Sequence, residues 1–240
     1  MDGNPVFCAL DTADIEHAAA LAEQVAPHVG GLKLGLEFFA AHGPAGIERL
    51  GARGLPIFLD LKFHDIPNTV AGAVRAVMPV RPALLTIHAA GGRAMMQAAV
   101  AAAREAADRR NTAPPRLVAV TVLTSLDQTD LAAIGIDSAP ADQVLRLADL
   151  AMEAGLDGVV CSPHEVAALR TRLGPEALLV VPGIRPRGTK VGDQKRVMSP
   201  AEALGAGADI LVIGRPITAA KDPAQAAAAI AGELDNSGAS

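Results

Sequence analysis

Three charged residues lie at the end of an apolar run in the segment 56–69, whose sequence is PIFLDLKFHDIPNT. The run begins as a buried strand would, and Asp60, Lys62 and Asp65 then follow within six positions. Because successive side chains of a strand alternate between its two faces, Asp60 and Lys62 should face the same way. An isolated charge in an apolar interior costs on the order of tens of kcal/mol, so the two charges must be paired at an edge of the core. The pattern predicts an ion pair at the mouth of the core, which is where chemistry takes place in an α/β protein.

The rest of the chain alternates apolar, strand-like runs with amphipathic, helix-like stretches. Helices are predicted over 14–25, 91–108, 141–154 and 163–173, the first with Thr12 as its N-cap and the last with Ser162 as its N-cap. Eight such units in 240 residues predict a closed (β/α)8 TIM barrel, one domain over 1–240, with 235–240 as a disordered tail. The predicted strands are 6–11, 31–36, 57–62, 84–88, 117–123, 158–161, 178–182 and 210–214.

Polar and charged residues recur at the ends of these predicted strands. In a barrel of this kind the carboxyl ends of all strands meet at one rim, where active sites lie. A solubilising surface would not place charge so selectively, so the set predicts a functional site at that rim. Its members are Asp11, Lys33, Asp60, Lys62, His88, Thr124, Arg185 and Arg215.

The composition excludes several classes of partner. The chain has no Trp or Tyr and a net charge of −5, which disfavours a nucleic-acid surface or an anionic membrane surface. Neither a basic and apolar leader nor a run of about eighteen uncharged apolar residues occurs, so we expect a cytoplasmic protein with a small-molecule partner. Cys8 and Cys161 lie inside apolar runs and are predicted to be buried thiols. A structural role is predicted for His64, while His88 could be structural or could contact a ligand.

The motif at 60–69 resembles the signature of the orotidine 5′-phosphate decarboxylase family in its bacterial short form. Further segments match that family in order and approximate spacing, so the resemblance covers essentially the whole chain. Asp-x-Lys-x-x-Asp alone is less specific, because related barrels that act on sugar phosphates carry it too. The further segments are ALD at 9–11, LKLG at 32–35, VLTS at 122–125, CSP at 161–163, PGIRP at 182–186, GDQKR at 192–196 and IGRP at 213–216.

The resemblance implies an activity, the decarboxylation of orotidine 5′-phosphate to uridine 5′-phosphate in pyrimidine synthesis, and a role for each matching residue. Lys62 would protonate C6 of the pyrimidine, and Asp60 would face the carboxylate that leaves as CO₂. Lys33 would complete an alternating array of charges and bind the ribose together with Asp11. The resemblance also implies a homodimer in which Asp65 and Thr69 enter the site of the second subunit. Thr124, with Ser125 beside it, would face the pyrimidine ring.

For the substrate phosphate the resemblance points to Arg185, Gln194, Gly214 and Arg215. Elementary chemistry agrees, since arginine presents a rigid charged fork to phosphate oxygens and a glycine after the eighth strand lets backbone N–H groups approach. No metal-ligand spacing or dinucleotide fingerprint is evident, and we expect no cofactor. Preorganised electrostatics is then the remaining means of stabilising a carbanion.

Two other functions remain open from the sequence. A Mg²⁺-dependent sugar-phosphate decarboxylase, aldolase or isomerase of the same barrel type would share Asp60, Lys62 and Asp65 but would need the metal. A non-enzymatic barrel that binds a phosphorylated ligand would keep Gly214 and Arg215 but would have no use for the Asp-Lys-Asp array. The intact array disfavours this second alternative.

Overall fold

Eight parallel strands form a closed barrel in chain order, each hydrogen-bonded to the next and β8 to β1. A computed structural model describes residues 3–186 and 198–237 of the chain, the last three without their side chains. The predicted (β/α)8 fold is therefore confirmed. The strands are β1 (Val6–Ala9), β2 (Gly31–Gly35), β3 (Ile57–Phe63), β4 (Leu84–His88), β5 (Arg116–Val120), β6 (Gly158–Val160), β7 (Leu178–Pro182) and β8 (Ile210–Ile213).

Helices alternate with the strands and pack on the outer face of the barrel. The helix Gly92–Asp108 is rich in alanine on its buried side. Within the described ranges no helix is both long and apolar enough to cross a membrane. The helices are α1 (Ile15–Val25), α2 (Leu36–Gly51), α3 (Pro67–Val77), α4 (Gly92–Asp108), α5 (Gln128–Ala133), α6 (Pro140–Glu153), α7 (Val166–Leu173), α8 (Pro200–Gly205), α9 (Arg215–Thr218) and α10 (Pro223–Ser237).

The alternation of side chains along the strands separates two apolar regions. Phe58 belongs to a cluster that fills the barrel interior, whereas its neighbour Leu59 packs in the layer between strands and helices. The next inward position of β3 is Asp60, which therefore lies above the interior cluster at the carboxyl end of the strand. The interior cluster consists of Phe7, Ala9, Phe58, Leu84, Val118, Val180, Ile210 and Val212.

The ends of several elements differ from the sequence-based boundaries. β1 ends at Ala9 and β5 at Val120, so the residues predicted as their last positions belong to loops that surround the rim. The N-cap of α1 is Asp14 and not Thr12, because the Asp14 carboxylate accepts hydrogen bonds from the backbone N–H groups of Glu16 and His17. Helix α10 continues to Ser237, and 238–240 lie outside the described residues, so the disordered tail at 235–240 stays a prediction.

Candidate active site

A cavity of about 310 Å³ opens at the rim formed by the carboxyl ends of the strands. This size falls at the lower end of the range for small-molecule sites. Its wall combines charged groups with apolar residues of the barrel interior such as Phe58 and Val212. Eight residues that the sequence assigned to the site line this one cavity: Asp11, Lys33, Asp60, Lys62, Thr124, Arg185, Gly214 and Arg215.

Four of these residues form a chain of alternating charges. The Lys62 ammonium lies 2.8 Å from both carboxylate oxygens of Asp60. The Lys33 ammonium lies 3.0 Å from Asp11 Oδ1 and 3.7 Å from Asp60 Oδ2. The side chains of Lys33 and Asp60 are only 10% and 14% exposed, whereas Asp11 is 57% exposed. Because a shielded charge requires a partner, the two inner members lie next to each other, and Asp11 and Lys62 extend the array toward the opening.

Lys62 has an unusual backbone conformation, with φ at +51°. A residue other than glycine in this left-handed region costs roughly 1–2 kcal/mol. The same position carries an irregularity in the pairing of β3 with β4, since four steps from Leu59 to Phe63 match two steps from Leu85 to Ile87. The predicted pairing of Asp60 with Lys62 is present, but regular strand alternation was the wrong reason for it. A bulge brings the ammonium over the carboxylate.

Two residues that the sequence analysis missed support the array. The hydroxyl of Thr86, a fully buried residue of β4, accepts a hydrogen bond from the Lys62 backbone N–H at 2.8 Å and donates one to Asp60 Oδ1 at 3.0 Å. Gly35 ends β2, and a Cβ there would lie 3.1 Å from Lys33 Nζ. The sequence signal for Thr86 is a polar residue at an inward position of an apolar strand. The need for a residue without a Cβ at position 35 depends on side chains that only the folded structure brings close, so no sequence signal points to it.

The part of the cavity wall that follows β7 and β8 carries the groups expected to bind a phosphate. Arg185 follows β7, and Arg215 follows Gly214 at the end of β8. Gly183, between β7 and Arg185, also lines the cavity and has φ at +83°, a conformation that favours glycine. Two arginines and two glycines at one rim can bind an anion through guanidinium and backbone N–H groups. Gln194, assigned to the same role, lies outside the described residues.

Three assigned residues do not line the cavity of their own chain. Ser125 is exposed beside the lining residue Thr124. Asp65 is exposed just before α3, and Thr69 is exposed in the first turn of that helix. Asp65 Oδ1 accepts a hydrogen bond of 2.6 Å from the backbone N–H of Ile66. The neighbouring Ile66 is itself 66% exposed. Within a single chain the structure therefore separates Asp65 from the Asp60–Lys62 pair.

Two histidines stack beside the site without lining the cavity. The rings of His64 and His88 lie 5.0 Å apart between their centroids and are nearly parallel. Burial lowers the pKa of His88, and the electrostatic interaction with His64 and Lys62 lowers it further. A neutral imidazole at the end of β4 fits a structural role better than that of a charged ligand-binding group.

Both cysteines are buried, as predicted. Burial raises the pKa of the Cys8 thiol to about 12 and raises that of Cys161 as well. Cys161 borders the cavity but is only 1% exposed. Because the thiolate is the nucleophilic form, neither sulfur is prepared for nucleophilic chemistry.

The carboxylates at the rim are engaged by ammonium groups. In the described ranges, 3–186 and 198–237, no three His, Cys, Asp or Glu side chains converge as a metal site requires. Asp11 and Asp60 are the carboxylates of the cavity wall there, and each contacts a lysine. The arrangement thus presents ammonium groups, which can donate protons, where a metal-assisted site would present a cation.

These features define a (β/α)8 barrel with a cavity at its carboxyl rim that is lined by paired lysines and aspartates and by two arginines. Residues 4–230 match the family described as "Orotidine 5'-phosphate decarboxylase / HUMPS family", and the chain belongs to this family. It is 59% identical over 235 residues to an orotidine 5′-phosphate decarboxylase of Rhodospirillum rubrum, covering 98% of this chain and 95% of the relative. Identity to the enzyme of the same name from Paramagnetospirillum magneticum is 56%, over 96% of this chain and 98% of that one.

Solved structures agree with the sequence relatives. The crystal structure of orotidine 5′-phosphate decarboxylase from Lactobacillus acidophilus superposes with a TM-score of 0.86 at 37% identity, covering 97% of this chain and all of the other. The family and the fold inferred from the sequence motifs are both confirmed. The chain is thus a member of this decarboxylase family, and it covers nearly the full length of these relatives.

Proposed function

We propose that this chain is a carboxy-lyase that converts orotidine 5′-phosphate to uridine 5′-phosphate and CO₂ in pyrimidine synthesis. The observation that carries the proposal is the alternating array from Asp11 to Lys62 in the same cavity as Arg185 and Arg215. A substrate with a carboxylate at one end and a phosphate at the other fits a cavity with these two groups of charges.

The proposed reaction breaks the bond between C6 of the pyrimidine and its carboxylate. The bonding electrons stay on C6, CO₂ departs, and the Lys62 ammonium transfers a proton to C6. The neutral amine then regains a proton from solvent, so the net reaction consumes one proton. This role requires an ammonium group that is fixed at the cavity wall, and the 30% exposure of the Lys62 side chain leaves it accessible from the cavity.

Asp60 contributes a second electrostatic effect that favours the transition state. Its carboxylate repels the carboxylate of the substrate, and that repulsion disappears as CO₂ forms, while the attraction of Lys62 grows as negative charge builds on C6. Enzymes lower barriers by roughly 8–23 kcal/mol, whereas one preorganised donor contributes about 3–4 kcal/mol. The proposal therefore requires Lys33 and the phosphate-binding groups in addition to the Asp60–Lys62 pair.

Recognition of the remote phosphate is the second part of the proposal. Arg185 and Arg215 are assigned to the phosphate oxygens, with backbone groups at Gly214 and the side chain of Gln194. Binding energy from a group that does not react can be used to hold the reacting carbon against Lys62. Thr124, which lines the cavity after β5, is assigned to the pyrimidine ring.

We also propose a homodimer in which each subunit completes the site of the other. Asp65 and Thr69 are exposed outside the cavity of their own chain, on a segment with the exposed apolar residue Ile66. A carboxylate placed there could reach a second copy of the rim. Orotidylate carries a charged phosphate that hinders passage through membranes, so we place the enzyme and its substrate together in the cytoplasm.

A metal-dependent sugar-phosphate lyase is the competing function, because it would use the same three residues of the motif. It would place a divalent cation against Asp60. Both oxygens of that carboxylate already contact the Lys62 ammonium at 2.8 Å, which favours the reaction without a metal.

The deciding experiment is to follow the loss of orotidylate absorbance in buffer with an excess of EDTA. We expect full activity and the release of one CO₂ for each uridine 5′-phosphate formed. Orotidylate turnover that disappears in EDTA and returns with Mg²⁺ would refute the metal-free mechanism. An absence of orotidylate turnover under both conditions would overturn the proposed function and leave the sugar-phosphate lyase as the candidate.

A further inference from the structure

We propose that Thr86 is a positioning residue that holds Lys62 and Asp60 in their reactive arrangement. This inference rests on the proposed function of the site. Thr86 lies on β4, does not line the cavity, and is fully buried. It therefore acts on the reaction through its neighbours.

The position of Thr86 follows from the pairing of β3 with β4. Phe58 pairs with Leu84 and Leu59 with Leu85, so a continued register would set Asp60 opposite Thr86. Leu84 belongs to the interior cluster and Leu85 to the outer layer, which places the side chain of Thr86 inward. A β-branched residue packs well here, and its hydroxyl is held close to the carboxylate across the sheet.

Because of the bulge at Lys62, this part of β3 leaves the regular pairing with β4. The Thr86 hydroxyl then serves as the hydrogen-bond acceptor for the Lys62 backbone. The Lys62 backbone N–H can only donate, and it does so to Thr86 Oγ1 at 2.8 Å. The single hydroxyl proton is then free for Asp60 Oδ1, 3.0 Å away. One hydroxyl thus satisfies a backbone donor that the bulge would otherwise leave unpaired and fixes one oxygen of the carboxylate.

These two bonds couple the left-handed backbone of Lys62 to the orientation of Asp60. The Lys62 ammonium contacts both oxygens of that carboxylate, so the three groups close a ring of contacts: hydroxyl to carboxylate, carboxylate to ammonium, and Lys62 backbone to hydroxyl. Loss of the hydroxyl frees both the backbone at Lys62 and the rotation of Asp60. A displacement of about 1 Å at a reacting group can lower a rate by about 10²-fold.

The test compares Thr86→Val, which keeps the shape and removes the hydroxyl, with Thr86→Ser, which keeps the hydroxyl. Thr121→Val is the matched control, because Thr121 is also buried and its hydroxyl donates to the Val160 carbonyl at 3.1 Å, away from the charged array. For each variant, kcat and KM for orotidylate, the Kd for uridine 5′-phosphate and the Tm are measured. Wild-type turnover in the same assay tests the proposed function separately.

We expect kcat of Thr86→Val to fall by about 10- to 100-fold, with KM and Kd within about threefold of wild type. Thr86→Ser and Thr121→Val should retain kcat within about threefold. The proposal is overturned if Thr86→Val keeps wild-type kcat, if its loss lies in KM and Kd, or if Thr86→Ser is equally impaired. If Thr86→Val does not fold, Thr86→Ala takes its place with the same criteria, and failure of both to fold would show a folding role in place of positioning.

Discussion

The Lys62 ammonium lies at the same distance, 2.8 Å, from the two oxygens of the Asp60 carboxylate. A contact of this kind fixes the ammonium along the axis of the carboxyl group. Lys33, at 3.7 Å from Asp60 Oδ2, leaves the carboxylate with a cation even when Lys62 is replaced. Removal of Lys62 should therefore affect chemistry far more than folding.

Replacement of Lys62 is the first prediction. Lys62→Ala should lower kcat by at least about 10³- to 10⁴-fold, because the variant loses both the proton donor and the positive charge beside the carbanion. Its Tm should stay close to that of wild type. Lys221→Ala, at an exposed lysine before α10, is the control and should be fully active. Near-normal turnover of Lys62→Ala in steady-state kinetics would contradict the assigned role.

The second prediction concerns the phosphate. Arg215→Ala should lower kcat/KM for orotidylate by about 10- to 100-fold, the equivalent of one charge-assisted hydrogen bond of roughly 1.5–3 kcal/mol. The same variant should use orotidine, which lacks the phosphate, as poorly as wild type does. Arg49→Ala, at an exposed arginine that pairs with Glu16 on the surface, should leave both substrates unaffected. An equal loss on the two substrates would exclude phosphate recognition as the role of Arg215.

The third prediction tests whether subunits share a site. A Lys62→Ala chain and an Asp65→Ala chain should each be inactive alone. In a mixed dimer one site carries both substitutions and the other carries neither, so random mixing should restore about one quarter of wild-type activity. The shared site is refuted if subunit exchange is demonstrated by mass spectrometry while the mixture stays inactive.

The fourth prediction concerns the stability of the fold at mildly acidic pH. The folded-state pKa of His88 is lowered, so the unfolded chain binds more protons between that value and the ordinary value of about 6.5. The free energy of unfolding should consequently decrease as pH falls below about 7, until His88 is also protonated in the folded state. Urea unfolding of His88→Gln should show a weaker decrease than wild type. His164→Gln, at an exposed histidine, should follow the wild-type curve.

The sequence predicted the barrel well because its strands are apolar on both faces and end in polar residues. Asp11, Lys33, Asp60 and Lys62 could be placed together from strand ends alone, since a closed parallel barrel brings all those ends to one rim. The N-cap of α1 was missed because Thr12 and Asp14 are both competent caps, and only the turn geometry selects between them.

The remaining features of the site depend on how neighbouring strands pair with each other, and the sequence of one segment does not reveal that pairing. The left-handed backbone at Lys62 and the role of Thr86 both arise from the bulge in β3 against β4. Ser125 and Thr124 are adjacent in sequence, but the loop after β5 turns only Thr124 toward the cavity. The exposure of Asp65 could be expected from its place beyond the strand end, whereas its role in the proposed shared site requires a second chain.

The most direct test of the proposed chemistry is a crystal structure of the enzyme with uridine 5′-phosphate bound. We predict that Lys62 Nζ lies about 3–3.5 Å from C6 of the pyrimidine, with the phosphate on Arg185 and Arg215. A nucleotide seated in the cavity with C6 beyond hydrogen-bonding reach of Lys62 Nζ, or with its phosphate against Lys33, would contradict the proposed mechanism.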